Sequence, residues 1–347
     1  MHEERNVLLS KSTTLALGGP AMRFVHVENE KELAQVVSEA DARGEKLLVL
    51  GGGSNLVVGD AGFDGVVVKI AASRITPDAK AGKVHVSVQA GASWDALVAR
   101  AVLEGWSGVE ALSGIPGSVG ATPMQNVGAY GQEVSDTITR VSAYDRHEKQ
   151  FVDFAAEKCA FSYRSSRFRG DDRFVITAVD FVFDRDTNGA PVRYAELSRE
   201  LGIAEGERTS AARIRETVIR LRRGKGMVVD ATDPESVSAG SFFTNPIVDA
   251  AVVASITSVA GIAPPAFASG SGKFKVPAAW LIERAGFNKG EPAGRVGISK
   301  KHALALVNRG GATTEDLLAV ARSIRDGVKA KFGVELEVEP ILVSCKI

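Results

Sequence analysis

The chain has 347 residues, 45% of them apolar, and its 42 Lys and Arg are balanced by 42 Asp and Glu. That length exceeds one ordinary hydrophobic core and predicts two or three domains, while zero net charge gives no general attraction to nucleic acid, an anionic membrane or a basic partner, so any anion site must be local. Cys159 and Cys345 lack the spacing of a disulfide framework or a thiolate metal site, the N-terminus lacks the apolar core of a signal peptide, and no run reaches the ~18 apolar residues of a membrane span; the expectation is a soluble cytoplasmic protein.

Asn29 followed by Glu32 has capping-box spacing, and Leu33, Val36, Val37 and Ala40 then share a helical face that Gly44 ends. A short apolar strand at 46–50 runs directly into Gly51, Gly52, Gly53, Ser54 and Asn55, an α/β opening. Between 66 and 183 the pattern becomes strand-rich, with VVVKI, VHVSVQA, TITRVSAYD and FVITAVDFVF as candidates. One helix interrupts them after Ser93, with Trp94, Leu97, Val98 and Ala101 inward. A basic helix at 210–223 leads to the break RRGKG, where composition shifts and a domain boundary is placed. Beyond it lie a Gly-, Ser- and Pro-rich loop at 263–272, a helix at 314–331 with Leu317, Val320, Ile324 and Val328 inward, and a terminal strand VELEVEPILV. No fixed-period repeat is present, which excludes a solenoid. The fold class this predicts is α+β.

Two glycine clusters carry the chemistry. A strand ending in GGGSN places pliable backbone where successive N–H groups can face one anion such as a pyrophosphate, although a tight turn after a buried strand explains three glycines equally well. Leu56 stands where a GxGxxG fingerprint needs glycine, and GSGK at 270–273 lacks the rest of a P-loop. The second cluster joins Ser113, Gly114, Pro116, Gly117, Gly120 and Ala121 to Gln125, Asn126, Gly128 and Ala129. Glycine at 114, 117 and 120 strips side chains from one wall, and Gln125 and Asn126 can meet the polar edge of a flat heterocycle.

LGGGSNLVV, SGIPGSVGATPMQNVGAYGQE, FSYRSSRF, SAGSFFTNP and KVPAAWLIERAGFNKG, in this order, resemble the UDP-N-acetylenolpyruvoylglucosamine reductase family over 14–343. The resemblance implies a flavoprotein of peptidoglycan synthesis: a two-part FAD-binding domain of the vanillyl-alcohol-oxidase-like type, plus a smaller α+β domain closing over a UDP-sugar. It implies noncovalent FAD, NADPH as cosubstrate, and a monomer without nucleic-acid or membrane partners. The implied domains are 1–70 and 71–221 for FAD and 222–338 for the sugar, with 339–347 returning to the first.

Carried over residue by residue, the FAD pyrophosphate loop falls on Gly51, Gly52, Gly53, Ser54 and Asn55, and the ring and adenine contacts fall within 113–131, as named above. Arg164, Ser241 and Glu339 are the implied catalytic residues, and Tyr194, Lys225, Asn245, Phe267 and His302 the implied sugar contacts. The family's loop tyrosine corresponds to Phe267, which has no hydroxyl, so stacking, Tyr130 or Tyr163 must serve instead. VEPILV alters the family's terminal PEVR, which leaves Glu337 as an alternative to Glu339.

The reaction adds hydride to an enolpyruvyl ether and then a proton, through an enolate-like species. A guanidinium at Arg164 suits the growing carboxylate charge, a hydroxyl at Ser241 can protonate a strong carbon base, and a protonated Glu339, its pKa raised by burial, can hydrogen-bond the enolic carboxyl. Taken alone, Arg164 reads as a surface ion-pair residue, Ser241 as a cap, Glu339 as an edge-strand acid beside Glu335 and Glu337, Tyr194 as a packing anchor, Lys225 as a loop cation and His302 as a helix residue. His2, His26, His85 and His147 have no metal-ligand spacing, so no metal is expected. A flavin oxidase of the same fold is the competing class, and SAGSFFTNP, for which such an oxidase has no need, argues against it.

Overall fold

In the computed structural model, which describes residues 1–80 and 82–347, Asn29 accepts a hydrogen bond from Glu32 N at 3.0 Å and opens the helix Glu30–Ala42. Leu33, Val36, Val37 and Ala40 are buried against Val25, Val27, Val66 and Val68, so the predicted helical face is the one that packs. Those valines belong to a four-stranded sheet in the order His2–Leu8, Pro20–Val27, Phe63–Ile70, Leu47–Leu50, in which the last two strands run parallel.

A second sheet follows, entirely antiparallel, in the order Gln150–Ala155, Ile138–Asp145, Phe174–Arg185, Lys83–Gln89, Ile75–Lys80, with Trp106–Ser107 paired to the end of its central strand. Val84, Val86 and Val88 alternate inward and meet the helix Trp94–Leu103, whose Trp94, Leu97, Val98 and Ala101 are buried. Trp94 is fully buried, and its indole N–H donates to Leu112 O at 3.1 Å, which satisfies the polar tip. Ser93 caps this helix, and an isolated bridge pairs it with Ser118 of the second glycine cluster.

The chain forms two compact units. Met1–Val7, Ala21–Gly52 and Asp64–Gly224 make the first; Leu8–Pro20, Gly53–Phe63 and Lys225–Ile347 make the second. In the second, Thr313 and Asp316 form a capping box that starts the helix Thr314–Phe332. Its Leu317, Leu318, Ile324 and Val328 pack with Phe242, Phe243, Leu281 and Ile282 into one core. Around it lie a three-stranded sheet, Ser238–Ser241, Ala305–Asn308 and Val296–Ile298, and a parallel pairing of Ile341–Val343 with Leu56–Val58.

Three local readings change. The terminal strand is only Ile341–Val343. Residues 334–337 still alternate buried and exposed, but Pro340 has no N–H for a ladder and a single bridge, Phe243 to Val338, precedes it. The loop at 263–272 contains a hairpin, Phe267–Ala268 against Lys273–Lys275, extended by Ile247–Asp249. His302 lies in a turn before the strand Ala305–Asn308, its Nδ1 accepting from Leu304 N at 3.0 Å, and not in a helix. The basic helix, Ala211–Gly224, lies within one residue of its expected bounds. No helix of the described residues is long and apolar enough to cross a membrane.

Candidate active site

The two glycine clusters are one construction. A Cβ on Gly52 would lie 2.5 Å from Gly117 Cα, and one on Gly51 would lie 2.7 Å from Ser118 Oγ, so the turn after Leu50 rests backbone to backbone on the 113–121 segment. Gly120 is pressed on Ala90, where a Cβ would come within 2.4 Å of the alanine methyl. Close approach of the segments is thus what requires glycine at these positions.

Close packing also leaves donors free. Among the described residues the amides of Gly52 and Gly117 have no acceptor. Lys69, half-buried on the strand beside Leu50, donates its ammonium to Gly51 O and has no carboxylate partner among the described residues; burial lowers its pKa. Free N–H groups beside an uncompensated cation fit the diphosphate of FAD. In the second unit Gly53 has a φ of 66°, and a Cβ there would lie 1.8 Å from Ser12 O, so the conformation of the turn excludes any other residue.

Other members of the second cluster turn inward. Ser113 is fully buried with its hydroxyl on Glu110 O at 2.6 Å, and Gly114 N donates to Asp95 Oδ1 at 2.6 Å. Asp95 is held by Arg215 at 2.6 and 2.9 Å; burial raises its pKa, but Arg215 and Gly114 N outweigh that and the net shift is downward. Asn126 is 1% exposed, and its side chain donates to Glu133 Oε2 at 2.7 Å and Ser162 O at 3.2 Å and accepts from Ser135 N at 3.2 Å. The Asn126 amide that the sequence offered to a heterocycle is thus engaged within the protein, and Gln125 beside it is half-buried.

Arg164 sits at the tip of a tight turn in which Ser162 and Ser165 exchange hydrogen bonds of 3.0 and 3.1 Å. Its φ is 51°, one of a group of non-glycine left-handed residues that includes Asn126 and Tyr130. Its Nη2 donates to Gly128 O at 2.8 Å, and its guanidinium carbon lies 5.5 Å from the Tyr163 ring centroid. Tyr194, 44% exposed, meets Tyr130 edge to face at 5.5 Å, and burial pushes the Tyr130 hydroxyl up to about 12, so it stays protonated as a donor.

In the second unit, Ser241 ends the strand Ser238–Ser241 opposite Ala305, past a bulge at which Gly240 has a φ of 73°. It caps no helix; Asp249 stands at that position for the next one. Glu339 N donates to Phe242 O at 2.9 Å, and Asn55 Nδ2 reaches Glu339 O at 3.5 Å, so Ser241, Glu339 and Asn55 come together from three distant segments. Glu339 is half-buried where Glu337 is exposed. Asn245 Oδ1 accepts from Ala278 N at 2.9 Å at the start of the helix Ala278–Arg284, which orients its amide N–H group. Phe267, 57% exposed, is paired across the hairpin with Lys275, and Lys225 is half-buried where the second unit resumes. Glu133 and Lys69 were missed from the sequence because neither stands in a recognisable spacing with its partner.

Residues 21–151 match the FAD binding domain family, and residues 233–343 match the family described as UDP-N-acetylenolpyruvoylglucosamine reductase, C-terminal domain. With the glycine construction above, this makes the chain an FAD-dependent oxidoreductase with a two-part α+β flavin domain and a smaller α+β domain. UDP-N-acetylenolpyruvoylglucosamine reductases of Thermobifida fusca and Salinispora arenicola are 53% and 51% identical, over 98% and 100% of this chain and 98% and 97% of theirs. A solved UDP-N-acetylenolpyruvylglucosamine reductase of Thermus caldophilus is similar with a TM-score of 0.67 and 28% identity, covering 99% of each chain. The chain belongs to the UDP-N-acetylenolpyruvoylglucosamine reductase family and acts, with FAD, in peptidoglycan precursor synthesis.

Proposed function

We propose that the protein uses NADPH to reduce UDP-N-acetylglucosamine enolpyruvate to UDP-N-acetylmuramate, with Arg164, Ser241 and Glu339 as its catalytic residues. When bound and reduced by NADPH, the flavin would supply the hydride. Arg164 carries the charge that builds on the substrate carboxylate, and a guanidinium held by Gly128 O at 2.8 Å on a strained turn is prepared for that task before substrate arrives. Ser241 delivers the proton to the carbon. Its half-buried hydroxyl makes no hydrogen bond to the described residues, which leaves the proton available. Glu339, the half-buried member of its pair, hydrogen-bonds the enolic carboxyl. Tyr194, Lys225, Asn245, Phe267 and His302 hold the UDP-sugar, with the Tyr130 hydroxyl beside Tyr194 as a further donor.

The observation that carries this reading is the joining of Ser241 and Glu339 on adjacent chain segments through Glu339 N to Phe242 O at 2.9 Å. The test is a pair of half-reactions on the yellow protein. Anaerobic NADPH should bleach the flavin and the enolpyruvyl sugar should restore it. Ser241→Ala should leave the bleaching intact and slow the restoration by about two to four powers of ten. Equal loss in both halves would show that Ser241 is not the proton donor. The FAD binding family and the yellow colour would survive that outcome.

A further inference from the structure

We propose that Glu133, acting through Asn126, is a positioning residue that aims the Arg164 guanidinium. The proposal rests on the catalytic role of Arg164 given above. It begins with a cost: a non-glycine residue in the left-handed region persists only where its surroundings over-determine it, and Arg164, with a φ of 51°, is such a residue at the tip of the Ser162–Ser165 turn. The base of that turn, closed by the Ser162–Ser165 pair, is braced by the buried amide of Asn126, which donates to Ser162 O at 3.2 Å. Asn126 is itself left-handed, with a φ of 45°.

A carboxamide can turn over, exchanging donor for acceptor, unless its neighbours forbid it. Here Glu133 Oε2 accepts from Asn126 Nδ2 at 2.7 Å while Ser135 N donates to Asn126 Oδ1 at 3.2 Å, so the NH2 group must face Glu133 and Ser162. Glu133 reaches the guanidinium from a second side. Its own backbone pairs with Gly128, whose carbonyl accepts from Arg164 Nη2 at 2.8 Å. A Cβ on Gly128 would lie 2.9 Å from Glu133 Cγ and 3.2 Å from Arg164 Nη1, so the Glu133 stem, the Gly128 backbone and the Arg164 fork are in contact with no room to spare. One residue therefore reaches both the base of the turn, through its carboxylate and Asn126, and the strand that anchors its tip, through its stem and backbone.

The test uses the FAD-loaded protein and separates the half-reactions. Glu133→Ala removes the acceptor; Glu133→Gln keeps an acceptor oxygen of the same reach. Glu133→Ala should retain FAD and its NADPH bleaching while reoxidation by the enolpyruvyl sugar slows about 10- to 100-fold, the scale of an ångström's misplacement. Glu133→Gln should restore most of that loss. In an Arg164→Lys background Glu133→Ala should add nothing further, because the group it aims is already gone. The proposal is overturned by a Glu133→Ala protein that reoxidises at the parent rate, by one that loses FAD or bleaching to the same degree, by Glu133→Gln as slow as Glu133→Ala, or by full additivity with Arg164→Lys. If Arg164→Lys alone leaves reoxidation unchanged, the catalytic role of Arg164 fails, a result distinguishable from failure of the positioning role.

Discussion

Gly52→Ala tests whether the contact between the two glycine segments is what builds the flavin site. The added methyl would stand 2.5, 3.1 and 3.2 Å from Gly117 Cα, C and N. All three are backbone atoms, so no side chain can swing aside; reaching an ordinary contact needs the segments to part by about 1 Å. Overpacking of this kind costs about 1–3 kcal/mol, or roughly 2–10 °C in melting temperature for a unit of this size. The larger effect should fall on FAD. Parting the segments pulls apart the free amides of Gly52 and Gly117, and losing one hydrogen bond to a charged group costs about 1.5–3 kcal/mol, a rise in Kd of about 10- to 100-fold. Flavin fluorescence titration of apoprotein gives the Kd, and urea unfolding of the same preparation gives the stability. Gly224→Ala serves as the control: it ends the helix Ala211–Gly224, and apart from its chain neighbours and its own helical turn nothing among the described residues lies within 4 Å of the added Cβ, so it should be neutral or gain up to about 1 kcal/mol. A Gly52→Ala protein that binds FAD and unfolds like the parent would refute the reasoning, since the methyl would then have found room.

Three further outcomes are expected. Glu339→Gln should slow reoxidation by the enolpyruvyl sugar, whereas Glu337→Gln, altering an exposed side chain, should not; the reverse order would move the catalytic acid to Glu337. Phe267→Ala should weaken UDP-sugar binding in calorimetry and leave NADPH bleaching untouched, while Phe267→Tyr binds as well or more tightly. Parent-like binding by Phe267→Ala would reduce it to a hairpin residue. Asp145 is held at a pKa of about 2 by the Arg173 guanidinium, against burial and with help from the amides of Glu148 and His147. A carboxylate depressed in the fold stabilises it above the unfolded value of about 3.9 and loses that contribution as pH falls toward 2. The stability difference between the parent and Asp145→Asn, measured by urea unfolding, should therefore close between about pH 4 and 2. A difference indifferent to pH would mean that the pair contributes packing and not charge.

Local patterns were legible where local energetics decide them. Asn29 and Glu32 announced a helix start because a cap satisfies its own backbone three residues away, and Val84, Val86 and Val88 announced a strand face because side-chain alternation is a property of the strand itself. The same logic misled at 334–343, where the alternation was real but a strand also needs a partner, and Pro340 and a single bridge left only Ile341–Val343 in a ladder. Ser241 read as a cap for a similar reason: serine after glycine suits a turn, and nothing nearby in sequence reveals that Ala305 will pair with it.

By itself, then, the sequence determined the α+β class, the first helix, the central strands and, through its ordered motifs, the family, all of which depend on residue types and short spacings. Only the tertiary structure decided that Gly52 would lie on Gly117, that Lys69 would reach Gly51 O, that Asn126 would brace a turn, and that Glu339 would bond the residue after Ser241. Each of these joins segments whose separation along the chain carries no periodic signal, because a contact closed by the fold depends on where both partners are carried and not on what either has for neighbours.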